Sequence, residues 1–332
     1  MNRRRLLALP LALMNAQTPK KLVKPPALKA GDLVGLITPA SNVVNPGDWA
    51  RMEQSMRGLD LEIRLGKNVR RNGSGSRGYI AGSIDERLAD LHDMFRDPAV
   101  KGIFAIRGGY GAPQLLDRID YELVRKNPKI FVGYSDITAL HLAFHQKLGL
   151  VTFHGPTANS KFPPFTLSHF RKAMFSAEPL GPVLNPAELR RVKGGTARGR
   201  LVVGNLSLIS NLMGTPFEID TRDKILLLED VGEEAFRIDR MLTQLKLAGK
   251  LDHVAGVVWG ECEKCKSTPG VDVPLTEREV VDRILGGLGI PVLAGLSFGH
   301  TDDQLTLPQG VMATLNATAG TLTIEESAVT SY

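Results

Sequence analysis

This sequence offers little to staple or anchor a fold. Its two cysteines, Cys262 and Cys265, can close at most one disulfide, so the structure must hold by burial, which a chain of 332 residues can do. Aromatic residues are scarce at 6%, with Trp49 and Trp259 the only tryptophans. No internal repeat, low-complexity tract or apolar run near the ~20 residues of a membrane-spanning helix is present, which argues against stable membrane insertion. With 43% hydrophobic and 23% charged residues the chain is also neither disordered nor fibrous. Acid is missing from the first 31 residues. The net charge of +6 and the pI of about 9.3 would suit nucleic acid or acidic lipid. Yet Arg3, Arg4, Arg5, Lys20, Lys21 and Lys24 all precede the first acidic residue, Asp32, and removing those six leaves 35 basic against 35 acidic residues. The body is neutral and no nucleic-acid partner is expected. The basic pI belongs to the N-terminal segment.

That segment has the layout of an export signal: Arg3-Arg4-Arg5 followed by a short apolar run to Met14 and a small residue at Ala16. The arginine pair before Leu6-Leu7 resembles a twin-arginine signal, although Pro10 interrupts the run and Met14 stands where a small residue belongs. Residues 17–27, rich in Lys and Pro, then read as a tether. An exported, periplasmic protein is the expectation, and a basic tail on a cytoplasmic enzyme is the alternative.

From about residue 31 short β-rich runs alternate with helical patterns, the signature of βαβ units on a mainly parallel sheet. Strands are expected at Asp32–Thr38, Leu61–Leu65, Gly102–Ile106, Lys129–Val132 and Val151–Phe153. A helix should open at Ser83 with Glu86 at capping-box spacing, and another should run from Ile137 to Leu148. Prolines 163, 164, 179, 182 and 186 and Gly194-Gly195 mark a linker around one short helix. Beyond it come strands at Leu201–Val203, Lys224–Leu228 and Val254–Trp259, helices at Ala235–Leu247 and from Thr276, and short strands from Val292 onward. The expected organisation is a leader and tether (1–27), an N-terminal doubly wound, mainly parallel α/β domain (28–160), a linker (161–197) and a second, C-terminal α/β domain (198–332).

Several motifs carry less chemistry than they suggest. The G-x-G-x-x-G spacing at Gly73–Gly78 does not run from a strand directly into a helix, as dinucleotide binding requires, and reads as a flexible loop. No P-loop lysine motif occurs. His141 and His145 stand four apart on a helix, but Leu142 replaces the glutamate of a zinc-protease motif, so they read as helix-surface histidines. Cys262-Glu-Lys-Cys265 is half a zinc site at most; it would close a small disulfide in an exported protein and stay reduced in the cytosol. No metal site is expected.

Gly133-Tyr134-Ser135-Asp136 sits where a strand turns into a helix. A serine on such a corner is thrust from the backbone beside free helix N-terminal amides; it is either a nucleophile or a helix cap, and Ile137 replaces the glycine usual at that place. Arg107-Gly-Gly-Tyr-Gly111 comes after a strand end, where α/β sheets gather their ligand loops. Glu229-Asp230 ends an apolar strand and His300 lies just beyond another. In this chain order serine, glutamate and histidine would serve as nucleophile, orienting acid and general base.

Together these segments resemble the LD-carboxypeptidase family (peptidase family S66). The matching stretches are Gly31–Ser41, Arg107–Gly111, Phe131–Ala139, Phe153-His-Gly-Pro156, Gly204–Leu206, Leu228–Glu233 with Arg237–Met241, and Gly299–Thr301. The resemblance implies two domains with the active site in the cleft between them and a Ser135–His300–Glu229 triad. It also implies an oxyanion hole from the Gly109 and Asp136 amides, with Arg107 holding substrate carboxylates. Glu233, one turn on, is the alternative acid. The implied reaction removes the terminal D-alanine from a murein tetrapeptide without a metal or organic cofactor. A related hydrolase acting on peptide–nucleotide antibiotics and a non-catalytic murein-peptide binder are the competing readings. Homodimers are common in the family, whose best-known members are cytoplasmic, and the Cys262–Cys265 segment matches none of its motifs.

Overall fold

The computed structural model describes residues 21–43, 45, 47–69, 79–267 and 274–331; the residues of the expected export signal and the glycine spacing at 73–78 lie outside that set. Five strands, β1 (Leu33–Ile37), β2 (Glu62–Leu65), β3 (Val100–Ala105), β4 (Ile130–Gly133) and β5 (Phe153–His154), lie parallel in the order β5-β4-β3-β1-β2. Their connections are helices: α1 (Gly47–Gly58), α2 (Ile84–Arg96), α3 (Tyr121–Lys126) and α4 (Thr138–Leu148). The capping box predicted at Ser83 is present: Ser83 Oγ accepts from the Glu86 amide while Glu86 Oε2 accepts from the Ser83 amide at 2.8 Å. Two orphan donors of the first turn are thereby satisfied. Leu88, Leu91, Met94 and Phe95 then face one side of the sheet, while Trp49, Met52 and Met56 of α1 cover the other. Because alternate residues of a strand point to opposite faces, Ile103 and Phe131 join the first cluster and Phe104, Ile130 and Val132 the second. The domain is doubly wound.

Helix α5 (Pro164–Phe175) lies on the α1 side, with Phe170 edge-to-face on Phe104 at 5.6 Å. Beyond α5 the chain departs from the linker expectation. Residues 181–182 (β6) and 190–193 (β7) are strands at opposite edges of a second, mixed sheet, and β8 (Thr196–Asn205) begins before residue 198. These strands are illegible in sequence because edge strands are short and tolerate proline, whose missing N–H faces away from the ladder. The sheet continues with β9 (Lys224–Val231), β10 (Gly256–Glu263) and β11 (Val292–Leu296), all parallel with β8. Helices α6 (Leu206–Asn211), α7 (Ala235–Leu247) and α8 (Glu277–Ile284) pack on it, α8 opening at a Thr276–Glu279 capping box. Strand β12 (Leu307–Pro308) returns to the first sheet, antiparallel to β5, before β13 (Met312–Asn316) and β14 (Thr321–Ile324) complete the second. Residues 21–27 of the expected tether are built into the fold: Val23 donates to Gly149 O at 2.8 Å and Ala27 to Thr330 O at 2.9 Å. Both apolar clusters run through both sheets, so the two domains share their cores.

Candidate active site

The parallel strands of both sheets end towards the same region, the place where α/β folds collect functional loops. At the end of β4 the backbone goes from extended at Tyr134 to left-handed at Ser135, φ 64°, then into a 3-10 turn, Ser135–Ile137, that continues as α4. A non-glycine residue in that conformation is strained by about 1–2 kcal/mol and is held there by its surroundings. Two donors fix the start of the turn: Gly133 O accepts from the Gly155 amide at 3.1 Å and from His141 Nε2–H at 2.8 Å. The loop after β3 closes over the serine. A Cβ on Gly108 would fall 2.8 Å from Ser135 Cβ, so only glycine brings the loop backbone this near. Gly109 is next, with φ 104°, and the Tyr110 amide donates to Ser41 Oγ at 3.1 Å.

Asp136 braces this loop. Its buried Oδ2 accepts from the Ala112 amide at 2.6 Å, while buried Arg87 donates to Pro39 O, Gly111 O and Gln114 Oε1. Burial raises the Asp136 carboxyl above the usual range, opposed by the Ala112 amide and by Arg87. Arg107 is exposed, with Nη1 donating to Asn42 O at 3.3 Å.

On the second sheet strand alternation separates two adjacent carboxylates. Asp230 faces α6 and is fully engaged: Oδ1 accepts from Asn205 Nδ2 and the Val231 amide, Oδ2 from the Ser207 amide and hydroxyl. Glu229 is wholly buried, and its Oε2 accepts from His300 Nδ1–H at 2.7 Å. That bond leaves Nε2 as the basic nitrogen of a neutral His300. Glu233 reaches Arg237 at 3.9 Å. The structure therefore brings Glu229 to His300 and leaves Glu233 at the rim. Across the cleft the Tyr134 ring sits edge-to-face on the His300 ring, centroids 4.9 Å apart, which sets the serine turn against the histidine.

Gly299 makes the acid's place. It has φ 90°, and a Cβ there would fall 2.2 Å from Glu229 Oε2. Gly299→Ala is expected to push the carboxylate off His300 and to destabilise the fold by about 2–4 kcal/mol, read as a lower urea midpoint at pH 7. An unchanged midpoint would refute this packing.

Two expectations need correction. His141 is no surface residue: it is 1% exposed beneath the serine turn, and His145 lies against Gly310 with Nδ1 enclosed. The helical spacing was legible, but the second layer covering that face was not. Burial, opposed by the bond to Gly133, pushes His141 from 6.5 down to about 4. Between those values the unfolded chain binds a proton that the folded protein refuses, so stability falls as pH falls through that window. His141→Gln should make the slope of unfolding free energy between pH 6.5 and 4 shallower by up to about 1.4 kcal/mol per pH unit, measured by urea titrations; an identical slope would sink the assignment. Cys262 and Cys265, left open by the sequence, are joined as a disulfide at the end of β10. Two residues whose roles the sequence did not reveal also stand here: Ser41, and His154, whose Nε2 is 3.9 Å from Glu229 Oε1. Both lie in stretches that carry the family resemblance, which was the one available signal. Among the described residues no cluster of His, Cys, Asp and Glu could hold a metal ion, and no helix is long and apolar enough to cross a membrane.

Comparison with known proteins agrees with this architecture. Residues 34–155 match the LD-carboxypeptidase N-terminal domain and residues 198–315 the LD-carboxypeptidase C-terminal domain. A probable murein peptide carboxypeptidase of Bacillus subtilis is 41% identical over 310 residues, covering 91% of this chain and 94% of that protein. The structure of a muramoyltetrapeptide carboxypeptidase from Oxalobacter formigenes superposes with a TM-score of 0.75 at 30% identity, covering 89% and 99% of the two chains. The microcin C7 self-immunity protein MccF, in complex with aspartyl sulfamoyl adenosine, superposes with a TM-score of 0.85 at 25% identity over 93% and 100%.

Proposed function

Because the chain belongs to the LD-carboxypeptidase family, whose members are carboxypeptidase hydrolases, we propose that it removes the terminal D-alanine from murein tetrapeptides by serine acyl transfer. In this reading Ser135 Oγ attacks the scissile carbonyl as His300 Nε2 takes its proton. The amides of Gly109 and Asp136 hold the oxyanion, and the imidazolium then gives its proton to the departing D-alanine nitrogen. Water, activated by the same nitrogen, frees the acyl group from the serine. Arg107 offers a two-pronged donor to a substrate carboxylate. These groups supply the whole acyl-transfer apparatus, so the reading calls for no cofactor. The observation that carries it is the 2.7 Å contact between His300 Nδ1 and the sealed Glu229 carboxylate, which fixes the tautomer a general base needs.

A peptide–nucleotide substrate is the second reading, since MccF binds an aminoacyl sulfamoyl nucleoside. It needs a surface on which a base can stack. Both tryptophans are core residues, 7% and 1% exposed, and the aromatic surface left beside the Gly108–Gly111 loop is the exposed Tyr79–Tyr110 pair. Incubation with murein tetrapeptide and, separately, with aspartyl sulfamoyl adenosine distinguishes the two. Free D-alanine is expected. Cleavage of the nucleoside alone would replace the reading, and cleavage of neither would favour a binding protein. We further place the enzyme outside the cytoplasm, with residues 3–16 as its signal; a Cys262–Cys265 disulfide suits that compartment. Cell fractionation with sequencing of the mature N-terminus tests this, and a full-length cytoplasmic protein would overturn it.

A further inference from the structure

Glu229 Oε2 is satisfied by His300, but Oε1, equally buried, has no hydrogen-bond partner among the described residues. A buried carboxylate with one bare oxygen is costly, because nothing replaces the water it has lost. One orphan faces it. His154, 1% exposed on β5, has no partner at either ring nitrogen, and its Nε2 stands 3.9 Å from Oε1. That gap is about 1 Å longer than a hydrogen bond, and catalytic hydrogen bonds are often long in the free enzyme and tighten in the complex. Several neighbouring groups are already engaged, although His141 Nδ1 also has no partner among the described residues. Asp230 has both oxygens engaged, His141 Nε2–H goes to Gly133 O, and the Tyr134 hydroxyl faces Ser160 and Gln304.

We propose that His154 is a positioning residue of this site: its Nε2–H already points at Glu229 Oε1 in the free enzyme and closes to a full hydrogen bond as substrate binds, holding the carboxylate so that Oε2 stays on His300. The inference rests on the functional reading above. The role demands a neutral imidazole, since a cation would cancel the charge that holds His300. Burial, reinforced by the His141 and His300 rings, keeps His154 well below the ordinary imidazole range. The pocket is shaped for a ring, with Phe298 at 5.6 Å, Tyr134 at 6.2 Å and His141 at 6.3 Å between centroids.

The test sets His154→Phe, which keeps the ring and loses the donor, against His154→Gln, which keeps a donor of similar reach. In the phenylalanine variant kcat should fall about ten- to a hundredfold with KM little changed. The acid limb of kcat/KM should move up by about one pH unit, because the lost bond stabilised the unprotonated pair. Glutamine should restore most of the rate and return the limb. The His300 ring signal in 15N-histidine-labelled protein should show the same upward shift without any substrate. If His154→Phe does not fold, His154→Asn, whose amide stops short of Glu229, takes its place. An unshifted His300 titration in either donor-free variant, or a glutamine variant as impaired as the phenylalanine one, overturns the proposal. If the wild type cleaves no murein peptide yet the shift in the His300 signal appears, the positioning role stands and the functional reading falls.

Discussion

Ser135→Ala should abolish D-alanine release, with kcat/KM lower by about 10⁴-fold or more and the unfolding midpoint within a few degrees of wild type. In the proposed mechanism the hydroxyl supplies the bond-forming electron pair, so its removal takes the chemistry and keeps the packing. A companion substitution probes the strain. Ser135 has φ 64°, a conformation that alanine finds as costly as serine and glycine does not. Ser135→Gly should therefore be equally inactive yet about 1 kcal/mol more stable than Ser135→Ala. Urea unfolding and D-alanine release on the same preparations decide both points. Undiminished activity in either variant would remove Ser135 from the mechanism, and equal stability would remove the strain.

The second large effect separates two glutamates. Glu229→Gln should reduce kcat by about 10³–10⁴-fold while Glu233→Gln changes it by no more than about threefold. Glutamine at 229 fills the same buried volume, but its NH₂ group can face His300 Nδ1. The imidazole then accepts at Nδ1 and carries its proton on Nε2, the nitrogen that in the proposed mechanism receives one from Ser135. Glu233 stands 3.9 Å from Arg237 of α7 and beside Ser207, and its partly exposed ion pair is worth little. Similar losses in the two variants would refute the geometric assignment. A loss confined to Glu233→Gln would transfer the role outright.

Legibility from sequence tracked the range of the interactions. The capping boxes at Ser83 and Thr276 and the helix Ala235–Leu247 are local patterns, and they stand where the periodicity puts them. The strand–turn–helix corner at Ser135 is local too, although its left-handed turn is not visible in a sequence with Ile137 where glycine is usual. Gly133 explains the exchange: a Cβ there would meet the Ile137 side chain at 3.0 Å, so the missing side chain has moved to the other arm of the turn. What stayed hidden was set by distant partners. Strands β6 and β7 owe their existence to β14 and β11, the burial of His141 to a covering layer, and the place of His154 to the second domain. Which of two neighbouring acids meets the histidine is decided by the pleat of β9, a choice that a shift of one residue would reverse.

The return of Leu307–Pro308 to the first sheet gives the cleft a gauge. His154 pairs in the ladder with Leu307, seven residues after His300, and Gln309 donates to Thr152 O at 2.8 Å. The polypeptide that carries His300 is thus pinned, within one short excursion, to the strand that carries His154, the residue facing Glu229. Slippage of that two-residue ladder would carry the histidine away from the serine as a vernier moves against its scale. Under the proposed mechanism the alignment of nucleophile and base is written in strand register, so variants that alter turnover without touching any reacting group should concentrate between residues 301 and 309.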